Sequence, residues 1–128
     1  MIKFENINIK IKDLSDKQLL SLPIGELEIV KTIKEQYPDT YSQYSFQNLK
    51  SPLGWWLYFD FYNEELKTAI EFNEKQHYER PIWITKKIYE KGLLHDKIKR
   101  KFCEDDNITL ITIKYTRIFD IRDFLLNE

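Results

Sequence analysis

The amino-acid sequence predicts an α/β protein, and three observations carry that expectation. Residues 7–11, 57–62 and 67–73 alternate apolar with polar or mixed positions, the two-residue period of strands with one buried face. Between and around them, residues 23–36 and 94–104 repeat apolar residues at helical spacing. At 128 residues the chain has room for one domain and one core, so these elements must share it.

Ile7, Ile9 and Ile11 alternate with Asn8, Lys10 and Lys12, which reads as a short first strand. Ser15 with Gln18 three residues on forms a capping box that opens a brief helix. Pro23 suits the first turn of a longer helix reaching Gln36, with Leu27, Val30, Ile33 and Tyr37 on its buried face and Pro38 to end it. A strand within 41–49 places Tyr44 and Phe46 on one side. The runs 57–62 and 67–73, joined by Asn63-Glu64-Glu65-Leu66, predict an antiparallel hairpin. After Tyr78 a loop or irregular helix through Pro81 and Trp83 leads to the helix 94–104. The apolar run Ile108, Leu110, Ile111, Ile113 reads as a well-buried strand, and a last helix spans about 120–127. Residues 1–22 are thus an N-terminal extension, 23–116 the core and 117–128 a terminal helix of a single domain.

Composition narrows the function. Hydrophobic residues at 42% and charged residues at 32% suit a soluble globular chain, and 15% aromatics exceed what a disordered one carries. No apolar run approaches the roughly 20 residues that cross a bilayer. The alternating N-terminus lacks a signal-peptide block, and the lone Cys103 suits a reducing compartment, so a cytoplasmic protein with no membrane partner is expected. A net charge of -1 argues against coating nucleic acid through bulk charge. Locally, seven Lys/Arg against two acids between residues 86 and 101 form either a phosphate-facing surface or a solvated helix face. The Lys, Ile, Asn and Tyr abundance suits an AT-rich genome such as a phage or virus.

Chemistry concentrates on the hairpin. In 57–62 the odd positions are all apolar, so alternation turns Asp60 to the other face with Tyr58 and Tyr62; in the partner run Glu71 shares a face with Ala69 and Asn73. With the turn centred between residues 65 and 66, Asp60 falls across from Glu71, about 5 Å between Cβ atoms. Two opposed carboxylates repel, and the remedy is protonation of one, a nearby Lys or Arg, or a divalent cation, unless both are simply solvated. Glu26 lies four, seven and eleven residues before Val30, Ile33 and Tyr37, which projects it toward the covered face, although an acid in a first helical turn is also favoured by the macrodipole. His77 can protonate a leaving group or serve as a structural hydrogen-bonding partner. Cys103 reads as core. Asp96 and Lys99 form an intrahelical pair, or Lys99 reaches the site or a phosphate. Trp55, Trp56 and Trp83 read as core or core rim, with stacking on an extruded base as the alternative.

The order Phe59-Asp60-Phe61-Tyr62, then Ile70-Glu71-Phe72-Asn73-Glu74-Lys75-Gln76-His77-Tyr78, resembles the core of the PD-(D/E)XK, or restriction-endonuclease-like, nucleases. The similarity is to the branch of very-short-patch-repair and phage or homing-type endonucleases. Gly25-Glu26 resembles that branch's first-helix acid, and Asp96, Lys99, Phe102 and Cys103 its D-x-x-K-x-x-aromatic-Cys helix. The resemblance covers roughly residues 23–116. It implies a three-layer α/β/α core around a mixed sheet, and a DNA endonuclease using Mg²⁺, with Mn²⁺ as substitute. It further implies Asp60, Glu71 and Glu26 as metal-binding acids converging on one cavity, and Gln76 orienting water or phosphate. Lys75, His77, Lys97, Lys99 and Lys101 would face nucleic acid. Asn73 stands where the motif has its lysine and Glu74 where relatives have Gly. A catalytically weakened nucleic-acid-binding module is the alternative, and a homodimer or tethered partner would be needed to cut both strands.

Overall fold

The computed structural model describes residues 8–73 and 85–117. They form a five-stranded mixed sheet with helices against both faces. In chain order the strands are β1 (Ile9–Lys10), β2 (Tyr41–Lys50), β3 (Trp56–Asn63), β4 (Thr68–Asn73) and β5 (Thr109–Lys114), and their spatial order is the same. The first four pair antiparallel, and β4 pairs parallel with β5. A parallel neighbour needs a crossover, and the 20-residue helix α3 (Lys86–Asp105) lies in it. The expected loop through Pro81 and Trp83 and the helix at 120–127 fall outside the described residues.

The opening turns follow their local chemistry. Ser15 and Gln18 make both halves of the capping box at the start of α1 (Asp16–Leu20): the Gln18 N–H donates to Ser15 Oγ at 3.1 Å and the Ser15 N–H to Gln18 Oε1 at 2.8 Å. Pro23 stands at the N-cap of α2 (Ile24–Ile33), which ends three residues earlier than its pattern suggests. Its buried residues are Gly25, Glu26, Ile29, Val30 and Ile33, whereas Tyr37 lies beyond the helix and is 39% exposed. Among the described residues of the first alternating run Ile9 and Lys10 form the strand, which ends there because a 3-10 turn over Ile11–Asp13 follows at once and drives Ile11 into the core.

Two cores flank the sheet. On one face α2 packs Ile29, Val30 and Ile33 against Phe61, Ile70, Phe72, Ile113 and Ile11. On the other, Cys103 of α3 joins Leu49, Leu57, Phe59, Tyr62, Ala69 and Ile108, with Phe102, Ile98, Tyr44 and Phe46 packed alongside. Phe59 and Phe61 are both fully buried, and truncating either to Ala would cost about 3–5 kcal/mol. Gly25 is required at the crossing of α2 over β4, since a Cβ there would lie inside the Phe72 ring.

Helix α3 starts a full two turns earlier than expected, with Thr85 as N-cap accepting from the Ile88 N–H at 3.2 Å. Its first turns carry no buried face to read, because from Lys86 to Leu94 Tyr89 alone is half-buried and the rest are exposed. It ends in a Schellman motif: Asn107 takes a φ of 57°, the Ile108 N–H donates to the Cys103 carbonyl at 2.8 Å, and the Asn107 N–H to that of Glu104 at 3.4 Å. That motif delivers the chain into β5. The apolar run of 108–115 suggests a well-buried strand; among the described residues β5 lies at the end of the sheet, with Ile113 fully buried and Leu110 and Ile111 half-buried. Trp55 and Trp56 are not core residues either, being 68% and 44% exposed.

Candidate functional site

Strands β3 and β4 begin as a regular hairpin and then part. The pairs are Asn63 with Thr68, Tyr62 with Ala69 and Phe61 with Ile70, the register deduced from residue numbers. The next pair in that register is Asp60 with Glu71, and there the ladder stops. Beyond that point β4 keeps only β5, which it pairs along its whole length from Thr68–Thr109 to Asn73–Lys114, while β3 keeps β2. Asp60 closes the gap with its side chain, since the Phe72 N–H donates to Asp60 Oδ2 at 2.7 Å. A carboxylate thereby takes the place of a strand carbonyl.

The parting has a second consequence. Leu57 and Phe59 pack in the α3-side core and Phe61 in the α2-side core, so the odd residues of β3 do not share one face. The strand reverses its facing at Asp60, which corrects the simple alternation expected from the sequence. In β4 the alternation holds: Ile70 and Phe72 face α2, while Ala69 and Glu71 face α3.

Glu71 meets Lys99 on that side. The Lys99 Nζ donates to Glu71 Oε1 at 2.6 Å and to the Tyr58 carbonyl at 2.9 Å, and it stands 5.5 Å from the centre of the Phe59 ring. The two side chains are only 13% and 12% exposed. Burial pushes the Glu71 carboxyl up to about 7, the Asp60 charge adds to the push, and the Lys99 cation opposes it without prevailing. Asp96, one turn before Lys99, raises it further. Of the alternatives for Lys99, the structure shows the reach across to the sheet.

A cavity of about 80 Å³, room for a few waters, lies beside this pair and is lined by Glu71, Asn73, Asp96, Lys99, Arg100, Leu110 and Thr112. Asn73, the residue in the motif's lysine position, therefore opens on the same space as Lys99. Asp60 does not line it, and neither does Glu26. Glu26 is buried at the start of α2, 8% exposed, and Gln43 Nε2 donates to its Oε1 at 2.5 Å. Gln43 occupies the β2 position between Ser42 and Tyr44, whose partners are Phe61 and Phe59, so it faces Asp60 across the ladder. Register thus sets Gln43, the partner of Glu26, next to Asp60 in the sheet, and Asp60 acts in turn on Glu71.

Lys97 and Lys101 point to solvent, and Lys101 pairs with Asp105 at 3.6 Å with its side chain 76% exposed, so neither borders the cavity. Lys75, Gln76 and His77 lie outside the described residues. Cys103 is core, as expected, and burial pushes its thiol up to about 11, far from a thiolate nucleophile. Gln43, Arg100, Thr112 and the Tyr58 carbonyl were not singled out by the sequence. The one signal at Gln43 is conformational, a φ of 54° within a strand, and no residue pattern announces it.

The chemistry of the donor set fits Mg²⁺. That ion is commonly held by one or two carboxylates and retains several waters, and adjacent Asp60 and Glu71 supply two hard oxygen ligands. The proton affinity of Glu71 is raised first by burial and then by the Asp60 charge, and a divalent cation would oppose both. Among the described residues no group of three His, Cys, Asp or Glu side chains stands ready to hold a metal, so water would complete the shell.

No helix among the described residues is long and apolar enough to cross a membrane. No protein-family model matches the chain, and no solved structure does. Over 71 residues it is 35% identical to Uncharacterized protein 307L of Invertebrate iridescent virus 6, a match covering 54% of this chain. The aligned part spans 36% of that relative's length. The relative is viral, in keeping with the virus-like composition of this sequence.

Proposed function

We propose that this chain is a Mg²⁺-dependent DNA endonuclease of the restriction-endonuclease-like type. One observation carries the reading: Asp60 and Glu71 come together where β3 and β4 part, beside a lysine that reaches in from α3. A metal ion held by Asp60 and Glu71 would lower the pKa of a bound water and neutralise charge developing on a phosphodiester. Lys99 takes the part of the lysine missing at Asn73: it is fixed by Glu71 and by the Tyr58 carbonyl, and its cation stands at the wall of the cavity a phosphate would enter. Asp60 holds the opening in shape through the Phe72 N–H. Glu26 acts at one remove, positioning Gln43 opposite Asp60.

The Lys99–Glu71 ion pair also supports a second reading, a nucleic-acid-binding module whose centre has become structural. Nicking of supercoiled plasmid in Mg²⁺ separates the two. The nuclease reading expects relaxation by wild type, none in chelator, and at least a hundredfold loss in Asp60→Ala and Lys99→Met. DNA binding with no metal-dependent nicking by wild type would leave the binding module.

A further inference from the structure

We infer that the β2–β3 tip, with Trp55 and Trp56 beside Lys50, is a stacking platform for unpaired bases of a nucleic acid. The nucleic-acid class of the ligand rests on the proposed function; the platform itself rests on the tip.

The rings are held out by a rigid turn. The Ser51 N–H donates to the Trp55 carbonyl at 2.7 Å, the Gly54 N–H to the Ser51 carbonyl at 2.9 Å, and the Trp55 N–H to Ser51 Oγ at 3.2 Å. Ser51 is 5% exposed, and Gly54 supplies the φ of 86° that the turn needs. On this fixed base Leu53 is 75%, Trp55 68% and Trp56 44% exposed. Exposed indoles on a locked hairpin are an expense in water without a partner. Lys50 Nζ stands 5.0 Å from the centre of the Trp56 ring, so the aromatic surface carries its own cation. An aromatic face with a cation at its edge matches a base followed by its phosphate.

The tip also lies at the working end of the sheet. Strands β3 and β4 are antiparallel neighbours, β3 beginning at Trp56 and β4 ending at Asn73, so the tip and the end of β4 lie at the same end of the sheet, with Trp56 four residues along β3 from Asp60. Helix α3 runs back against β4: Lys67 Nζ donates to the Asp106 carbonyl near its end, and Lys99 meets Glu71 farther along. At 1.5 Å per residue, its turns from Lys86 to Leu94 extend about 13 Å and reach past that end. They are almost wholly exposed, and no acid among the described residues pairs with Lys87 or Lys91. An aromatic tip and a basic helix start therefore both lie toward the end of the sheet that carries the Asp60–Glu71 centre. A strand lying between them would set its backbone toward α3 and its bases toward the indoles.

The test is binding in chelator, where cleavage is absent, of fluorescein-labelled 20-nucleotide oligo(dT) and of a blunt 20-base-pair duplex to the full chain. Trp56→Ala should raise the Kd for the single strand about tenfold, within the span that loss of base stacking produces. Trp56→Phe should raise it less than threefold, and the duplex Kd should change little in either. Both variants should melt within about 2 °C of wild type, because the ring is not core. Single-strand affinity unchanged in Trp55→Ala/Trp56→Ala would overturn the inference and assign the tip to a protein or a lipid surface. An equal loss for the duplex would overturn stacking as well. The two proposals fail separately: ring-dependent binding without metal-dependent nicking sinks the nuclease and keeps the platform, and nicking with ring-independent binding does the reverse.

Discussion

Lys99→Met isolates the electrostatic argument, since methionine keeps an unbranched stem against Phe59 and removes only the cation. In wild type the Glu71 carboxyl is pushed up to about 7 even with Lys99 in place at 2.6 Å. Without that cation its affinity for a proton rises further. At pH 5.5 Glu71 is then protonated in both proteins, and the variant loses hydrogen bonds to Glu71 and to the Tyr58 carbonyl, about 1–3 kcal/mol. At pH 8.5 wild type holds an ion pair, whereas the variant must bury an uncompensated carboxylate or bind a proton from alkaline solution, about 3–5 kcal/mol. The destabilisation should therefore grow by about 2 kcal/mol between the two pH values. Urea unfolding of both proteins in chelator at pH 5.5 and 8.5 reads it, and Lys99→Met/Glu71→Gln should erase the pH dependence. A loss equal at both pH values and untouched by Glu71→Gln would refute the reasoning and reduce Lys99 to a packing residue.

Other outcomes follow from the same geometry. Because the folded carboxyl titrates near 7 and an unfolded one near 4.5, wild type should lose up to about 3 kcal/mol as pH rises through that window, the stability being fully present below it; Glu71→Gln should flatten the profile in pH-dependent melts. Asp60→Asn keeps an acceptor for the Phe72 N–H while removing a charge beside Glu71, so in chelator it should match or exceed wild type by about 1 kcal/mol, whereas Asp60→Ala leaves that N–H unpaired and should cost about 1–3 kcal/mol in urea. Gly25→Ala drives a methyl into the Phe72 ring and should cost about 1–3 kcal/mol, measured by the same denaturation.

The hairpin was legible because two constraints agree: a short polar turn fixes which residues face each other, and Phe61, Ile70 and Tyr62 demand burial in that register. The capping box at Ser15 was legible for a similar reason, its chemistry being contained in four residues. The reversal of facing at Asp60 was not, because it arises where the β3–β4 ladder stops while β4 stays paired with β5, a partner distant in the chain. The early start of α3 escaped because its first turns are exposed but for the half-buried Tyr89, and an element without a buried face has no apolar period to read. The apolar run in β5 suggests a strand covered on both faces, yet among the described residues β5 lies at the end of the sheet. For Trp55 and Trp56 bulk suggests the core or its rim, and the turn at Ser51 and Gly54 holds both outside the core. Glu26 was placed correctly toward the covered face, while its partner Gln43 depends on a left-handed residue inside a strand.

The claim on which the rest depends is that Asp60 and Glu71 together hold a divalent cation. Thermal melts of wild type and Asp60→Asn, each in chelator and in 10 mM Mg²⁺, test it without reference to any substrate. If the ion binds the folded chain with a Kd near 0.1 mM, wild type gains about 2.7 kcal/mol, a rise of several degrees in Tm, and Asp60→Asn gains almost nothing. A wild-type Tm that does not move with Mg²⁺ or Mn²⁺, or an equal rise in Asp60→Asn, would contradict the account.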